Sequence, residues 1–125
     1  MQHSEGFLKL VEDARSRIHE ISVEEANARL IAHTDNTVRL IDVREDHEWT
    51  AGHAAGATHL GRGIIERDIE HFAPDKTAEL ILYCGGGYRS ALAAYNLQRM
   101  GYTNVHSMTG GWTAWQAAEL PVEGE

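Results

Sequence analysis

Apolar residues recur along this chain at two spacings, and the alternation between them predicts its architecture. From Ser4 to Glu20, Phe7, Leu8, Leu10, Val11, Ala14 and Ile18 fall at helical spacing, with Lys9, Glu12, Asp13, Arg15 and Arg17 facing elsewhere. This reads as an amphipathic helix packed on its own domain, a helical extension over residues 1–20 ahead of a domain over 21–125. Ser22-Val23-Glu24-Glu25 has the form of a capping box, opening a second helix from Val23 to His33. Asp35-Asn36 marks a turn, and Val38 to Val43 reads as a strand that ends in the charged run Asp42-Val43-Arg44-Glu45. Asp46 to Ala51 reads as a short helix closed by Gly52, and Ala57 to Leu60 as extended chain. A helical pattern then runs from Gly61 to Phe72 and stops at Pro74. Glu79 to Tyr83 is apolar enough for a strand covered on both faces, Ala91 to Met100 is helical, Asn104 to Met108 is extended, and Trp112 to Ala118 is a last short helix. Strands alternating with helices predict an α/β fold: three layers, with a mainly parallel sheet between helices.

The chemistry concentrates where the central strand stops. Leu80 to Ser90, LILYCGGGYRS, contains the only cysteine, at the junction of an apolar run and three glycines. A loop from Cys84 to Arg89 would lie at the carboxyl end of a strand and the amino end of a helix, where open α/β sheets bind ligands and backbone N–H groups can face an anion. Gly85, Gly86 and Gly87 would let the chain curl so that amides as far as Ser90 converge on the sulfur, with Arg89 adding charge. For thiols in general, a pKa lowered from about 8.5 to about 6.5 raises the thiolate fraction at neutral pH roughly 25-fold and lowers nucleophilicity roughly 8-fold, a net gain of about 3-fold. Activation is therefore the smaller service of such a loop. Holding a second negative group beside the sulfur is the larger.

Composition narrows the partners. At 125 residues, 42% hydrophobic and 24% charged, the chain is the size of one globular domain. A net charge of −8 argues against nucleic acid and makes any basic pocket a local exception. The amino terminus, MQHSEGFLKLVEDARSR, has acids among its apolar residues, so neither a signal peptide nor a membrane span is expected, and a soluble, cytoplasmic protein is. A single cysteine there stays a thiol and needs an outside partner for its chemistry.

The ordered set of Asp42-Val43-Arg44-Glu45, Gly52-His53, Gly56-Ala57, CGGGYRS and Gly110-Gly111-Trp112 followed by Trp115 resembles the rhodanese family, specifically its single-domain sulfurtransferases, over Ile21 to Pro121. One departure is Ala54-Ala55, where an isoleucine-proline pair is common. The resemblance implies the rhodanese fold and a persulfide on Cys84, formed from thiosulfate or a related small anionic donor and passed to cyanide or a thiol. It implies substrate contacts from Gly85, Gly86, Gly87, Tyr88, Arg89 and Ser90, with Arg89 as the clamp for sulfite-like oxygens, and needs no cofactor. Four residues separate Cys84 from Arg89, whereas cysteine-dependent phosphatases typically place five there, which favours sulfur over phosphate. The alternative is a sulfur-carrier or binding module that takes persulfide from a relay partner without turning over small donors.

Other notable residues read as structural. Arginine is unfavourable at a helix amino end, so Arg89 calls for a compensating anion nearby. Asp42 and Arg44 read as a structural pair, His53 as structural, and Trp112 and Trp115 as core. The eight histidines show no metal-ligand spacing, so no metal is expected. Tyr88 would line the pocket mouth and tune the acceptor, and Arg62 reads as a solvated helix residue.

Overall fold

The computed structural model describes residues 3–35 and 37–124. Asn36, half of the expected turn, lies outside them. The order is α1 (Glu5–Arg15), β1 (His19–Ile21), α2 (Val23–Ala32), β2 (Val38–Asp42), α3 (Asp46–Ala51), β3 (His53–Ala54), β4 (Thr58–His59), α4 (Ile65–Phe72), β5 (Glu79–Tyr83), α5 (Tyr88–Arg99), β6 (Val105–Met108), α6 (Gly111–Ala117) and β7 (Val122–Glu123).

Five strands form a parallel sheet in the order β1-β6-β5-β2-β4. Strand β5 is central, and its side chains alternate between two cores as the period of two requires. Leu80 and Leu82 pack with Ile65 and Ile69 of α4 and Ala93, Ala94 and Leu97 of α5. Ile81 and Tyr83 pack with Val23 and Ala26 of α2 and Trp115 of α6. Helix α1 lies outside this sandwich, where Val11 and Ala14 meet Ala91 and Leu92 on the outer face of α5. No helix among the described residues is long and apolar enough to cross a membrane.

Several boundaries differ from the sequence expectation. Helix α1 ends at Arg15, and His19–Ile21 is an edge strand on β6. Ile18 and Ile21 fit a helical stripe as well as a strand, and pairing with β6 decides between them. Half of the capping box forms: Ser22 Oγ accepts the Glu25 N–H at 3.1 Å, while the Glu25 carboxylate turns to Arg29 at 3.0 Å. Helix α4 starts only at Ile65. The preceding turn is held by the Leu60 N–H on Asp42 O and the Arg62 N–H on Val43 O, both 3.0 Å, so Arg62 stands on this turn and not on a solvated helix. A two-stranded antiparallel sheet of β3 and β7, absent from the expectation, ties the carboxyl-terminal segment beside Gly52.

Asp42 and Arg44 form a buried pair beneath the carboxyl edge of the sheet. Arg44 donates from Nε to Asp42 Oδ1 at 3.0 Å and from Nη2 to Asp42 Oδ2 at 2.8 Å, and Nη2 also reaches Gly52 O at 2.7 Å. The guanidinium carbon lies 4.8 Å from the Trp112 ring centre. Asp42 is 0% and Arg44 3% exposed, so neither charge has water as a substitute partner. His53 stacks on Trp49 at 3.4 Å, and Trp115 donates from Nε1 to Pro121 O at 2.8 Å, both packing roles. Asp42→Ala leaves the Arg44 charge buried and alone, and the expected loss of about 3–5 kcal/mol is measured by the shift of the urea midpoint at constant slope.

Candidate active site

The carboxyl ends of β2, β4, β5 and β6 share one edge of the sheet, and Cys84 follows β5 there. Helix α5 begins at Tyr88, so Cys84 to Gly87 form the whole turn and Arg89 and Ser90 lie in the first helical turn. Gly87 is the amino cap, in left-handed backbone at φ +99°, and as a glycine it has no side chain to accept the first free N–H groups of the helix. The Cys84 sulfur takes that place. The Gly87 N–H donates to Sγ at 3.1 Å and the Ser90 N–H at 3.4 Å. The thiol donates to Ser90 Oγ at 3.6 Å, and Ser90 Oγ is 2.8 Å from Ser107 Oγ, a link to the neighbouring strand β6. Two amides thus point at the sulfur, placed to support negative charge on it, while the Ser90 hydroxyl accepts the thiol proton.

The carbonyls of the same turn are held by a second helix. The first amides of α6 donate to them, Trp112 N–H to Cys84 O at 2.7 Å and Thr113 N–H to Gly85 O at 3.1 Å. This docking requires Gly111, whose φ is +52° and whose position leaves no room for a Cβ: it would overlap the Cys84 carbonyl oxygen and lie 3.0 Å from the carbonyl carbons of Cys84 and Gly85. The Gly110-Gly111 pair, which in the sequence is only one of the motifs of the family resemblance, is therefore what lets α6 seat the cysteine turn.

Arg89 has the anion that a cation at a helix amino end calls for. Glu48 of α3 accepts its Nη1 and Nη2 at 2.9 and 3.2 Å. The Glu48 carboxylate also accepts the Glu45 N–H at 2.9 Å. These contacts, led by the Arg89 hydrogen bond, hold the Glu48 carboxyl down at about 2 against an ordinary 4.5. The same pair raises the Arg89 pKa. Nothing local in the sequence marks Glu48, because its partner lies 41 residues away and only the sheet topology joins them.

A cleft of about 890 Å³ opens over this site, lined by Cys84, Gly86, Tyr88 and Arg89 of the loop and α5, by Glu45, His47, Glu48 and Arg62, and by His3, Ser4 and Phe7 from the amino terminus. Cys84 is itself 1% exposed, at the floor. Of the residues expected around the anion, Gly86, Tyr88 and Arg89 face the cleft, Gly87 and Ser90 face the sulfur, and Gly85 packs against the Arg89 guanidinium. Arg62 joins them, and so does the start of α1, which no motif had placed at the site.

A family model described as a rhodanese-like domain matches residues 22–118. The chain belongs to the rhodanese-like family. Thiosulfate sulfurtransferase GlpE of Pseudoalteromonas translucida is 36% identical over 83 residues, covering 65% of this chain and 75% of that protein. A protein of unknown function from Rhodopseudomonas palustris, described as a possible tyrosine phosphatase, is 30% identical and superposes with a TM-score of 0.83 over 98% of both chains. The polysulfide-sulfur transferase homodimer of Wolinella succinogenes is 25% identical with a TM-score of 0.80, over 96% of this chain and 88% of that one. The α/β architecture and the rhodanese resemblance thus stand, and the chain's relatives include sulfurtransferases.

Two outcomes test the architecture of the site. Gly111→Ala forces a Cβ into backbone atoms that cannot move aside, and a loss of at least about 2 kcal/mol is expected in chemical denaturation. Glu48 carries a lowered folded pKa, so its contribution is fully present above about pH 4.5 and is lost as pH falls from there towards about 2. Urea midpoints measured down the acid limb fall across that window, and Glu48→Gln flattens this part of the fall.

Proposed function

We propose that this protein is a sulfurtransferase that moves a sulfane sulfur from thiosulfate or a related anionic donor to cyanide or a thiol, through a persulfide on Cys84. The observation that carries the reading is a lone thiol at the floor of an open cleft, with the Gly87 and Ser90 amides directed at its sulfur. The Cys84 thiolate attacks the outer sulfur of thiosulfate. A new S–S bond forms on Cys84, the S–S bond of thiosulfate breaks, and sulfite leaves with the electron pair. The acceptor then attacks the outer sulfur of the persulfide, and the pair returns to Sγ.

Amides aimed at a sulfur suit this chemistry because the charge never leaves the neighbourhood: it passes from thiolate to persulfide and back, and fixed donors stabilise it without reorganising. Two of the five N–H bonds of Arg89 are used by Glu48, and the others remain for the oxygens of a donor. The sulfurtransferase relatives support the reading. The open cleft suits a small donor and acceptor as the partners, and we propose that the protein works in the cytoplasm without a cofactor.

Incubation of the intact protein with thiosulfate is expected to release sulfite and add one sulfur mass at Cys84, and Cys84→Ser to do neither. Absence of both products from the unaltered protein overturns the proposal. An adduct formed only from a partner protein's persulfide identifies a sulfur-carrier module instead. Hydrolysis of an aryl phosphate, lost in Cys84→Ser, replaces it with the activity suggested by the description of the Rhodopseudomonas protein.

A further inference from the structure

The cleft is larger and less polar than inorganic sulfur chemistry requires. Its volume of about 890 Å³ falls in the range of roughly 300–1,000 Å³ that encloses organic ligands, far beyond what thiosulfate or cyanide fills. One wall is aromatic. The His3 and Phe7 rings lie 5.2 Å apart, His3 and Tyr88 4.8 Å, and Phe7 and Tyr88 6.2 Å, a three-ring cluster at the mouth. Ser4 fixes the start of α1 by accepting the Phe7 N–H on Oγ at 3.2 Å, so the His3 and Phe7 side chains stand on a capped helix end. Both belong to the segment ahead of the family match, which begins at residue 22.

Arg62 supplies a second charge: it lines the same cleft, and among the described residues its guanidinium enters no ion pair. Its Nε is itself closed to solvent and has no hydrogen-bond acceptor. Its backbone is fixed by the Arg62 N–H on Val43 O. The contrast with Arg89 is direct: Arg89 is held by Glu48, while Arg62 keeps an unanswered donor in a chain whose net charge is −8. An unpaired guanidinium lining a cleft is a ready partner for a ligand carboxylate. Of the two carboxylates that line the cleft, Glu48 is taken by Arg89, and among the described residues Glu45 forms no ion pair with Arg62.

We infer that the sulfur acceptor is a small organic thiol with an aromatic or branched apolar body and a carboxylate, bound between the His3, Phe7 and Tyr88 wall and Arg62. The inference rests on the Cys84 persulfide reading. The acceptor thiolate attacks the outer sulfur of the persulfide anion, a sulfur–sulfur bond forms on the acceptor, the bond to Cys84 breaks, and the electron pair returns to Sγ. One negative charge enters on the acceptor and leaves on its persulfide, so no oxidant or reductant is needed. Because the exchange is reversible, the same cleft receives the acceptor's persulfide as a donor.

The test uses the full chain with thiosulfate as donor and 4-mercaptophenylacetate, 4-methylthiophenol and cyanide as acceptors. Phe7→Ala is expected to lower the ratio of kcat/KM for 4-mercaptophenylacetate to that for cyanide roughly tenfold, and Phe7→Leu by less. Arg62→Gln is expected to lower the preference for 4-mercaptophenylacetate over uncharged 4-methylthiophenol roughly tenfold, through KM and not kcat. If Phe7→Ala fails to fold, Phe7→Leu and Arg62→Gln carry the test. Ratios unmoved in protein that forms the sulfur adduct normally overturn this inference alone. Failure of the unaltered protein to form the adduct from thiosulfate overturns the Cys84 reading, and this inference with it.

Discussion

Everything at this site depends on a division of the backbone polar groups around Cys84. The carbonyls of Cys84 and Gly85 are taken by the first amides of α6, and the first amides of α5 are left for the cysteine sulfur. A turn buried between two helix starts would otherwise carry unpaired carbonyls on one side and unpaired N–H groups on the other. Satisfying the first set with protein fixes the orientation of the second. Gly111 makes this possible by absence: without a Cβ, α6 approaches the cysteine backbone closely enough to donate. The sulfur then stands where a capping oxygen would stand, so helix stability and support for sulfur charge come from the same contacts.

Two charge pairs keep that arrangement in register with the sheet. Asp42 and Arg44 are fully desolvated and tie the end of β2 to Gly52 and to Trp112 of α6. Burial of such a pair is weak evidence for net stability but strong evidence for a fixed geometry, because either charge alone is costly. Glu48 and Arg89 are partly exposed and do a different job, offsetting a cation at the positive end of the α5 dipole. The first pair sets where α6 sits. The second sets how the Arg89 guanidinium lies over Gly85.

Helix α1 adds a layer to this frame. Only part of its expected apolar stripe is used on α5, through Val11 and Ala14, while Leu8 and Leu10 stay exposed, and its amino end reaches the cleft with His3, Ser4 and Phe7. The segment outside the family match is thus part of the candidate site's wall as well as its packing. Tyr88 joins the two, as the first residue of α5 and a member of the aromatic cluster.

The layered α/β architecture and the position of the cysteine turn are legible in the sequence because both are written locally. Period-two and period-3.6 patterns mark elements wherever burial is one-sided or complete, and an apolar strand running into Cys84 and three glycines is a contiguous signal. The sequence also carried the demand for an anion near Arg89, which follows from the helix dipole alone. Tertiary structure decided the rest, for a physical reason common to each case. The strand at His19–Ile21 exists because β6 offers it a partner, and the pair β3 and β7 because two distant segments meet. Glu48 as the partner of Arg89 and Gly111 beneath Cys84 are contacts between residues far apart in the chain, and Arg62 and Phe7 reach one cleft from distant segments. Local periodicity carries no information about which of several acids, glycines or arginines the fold will bring to one place; the sheet order and the helix packing supply it.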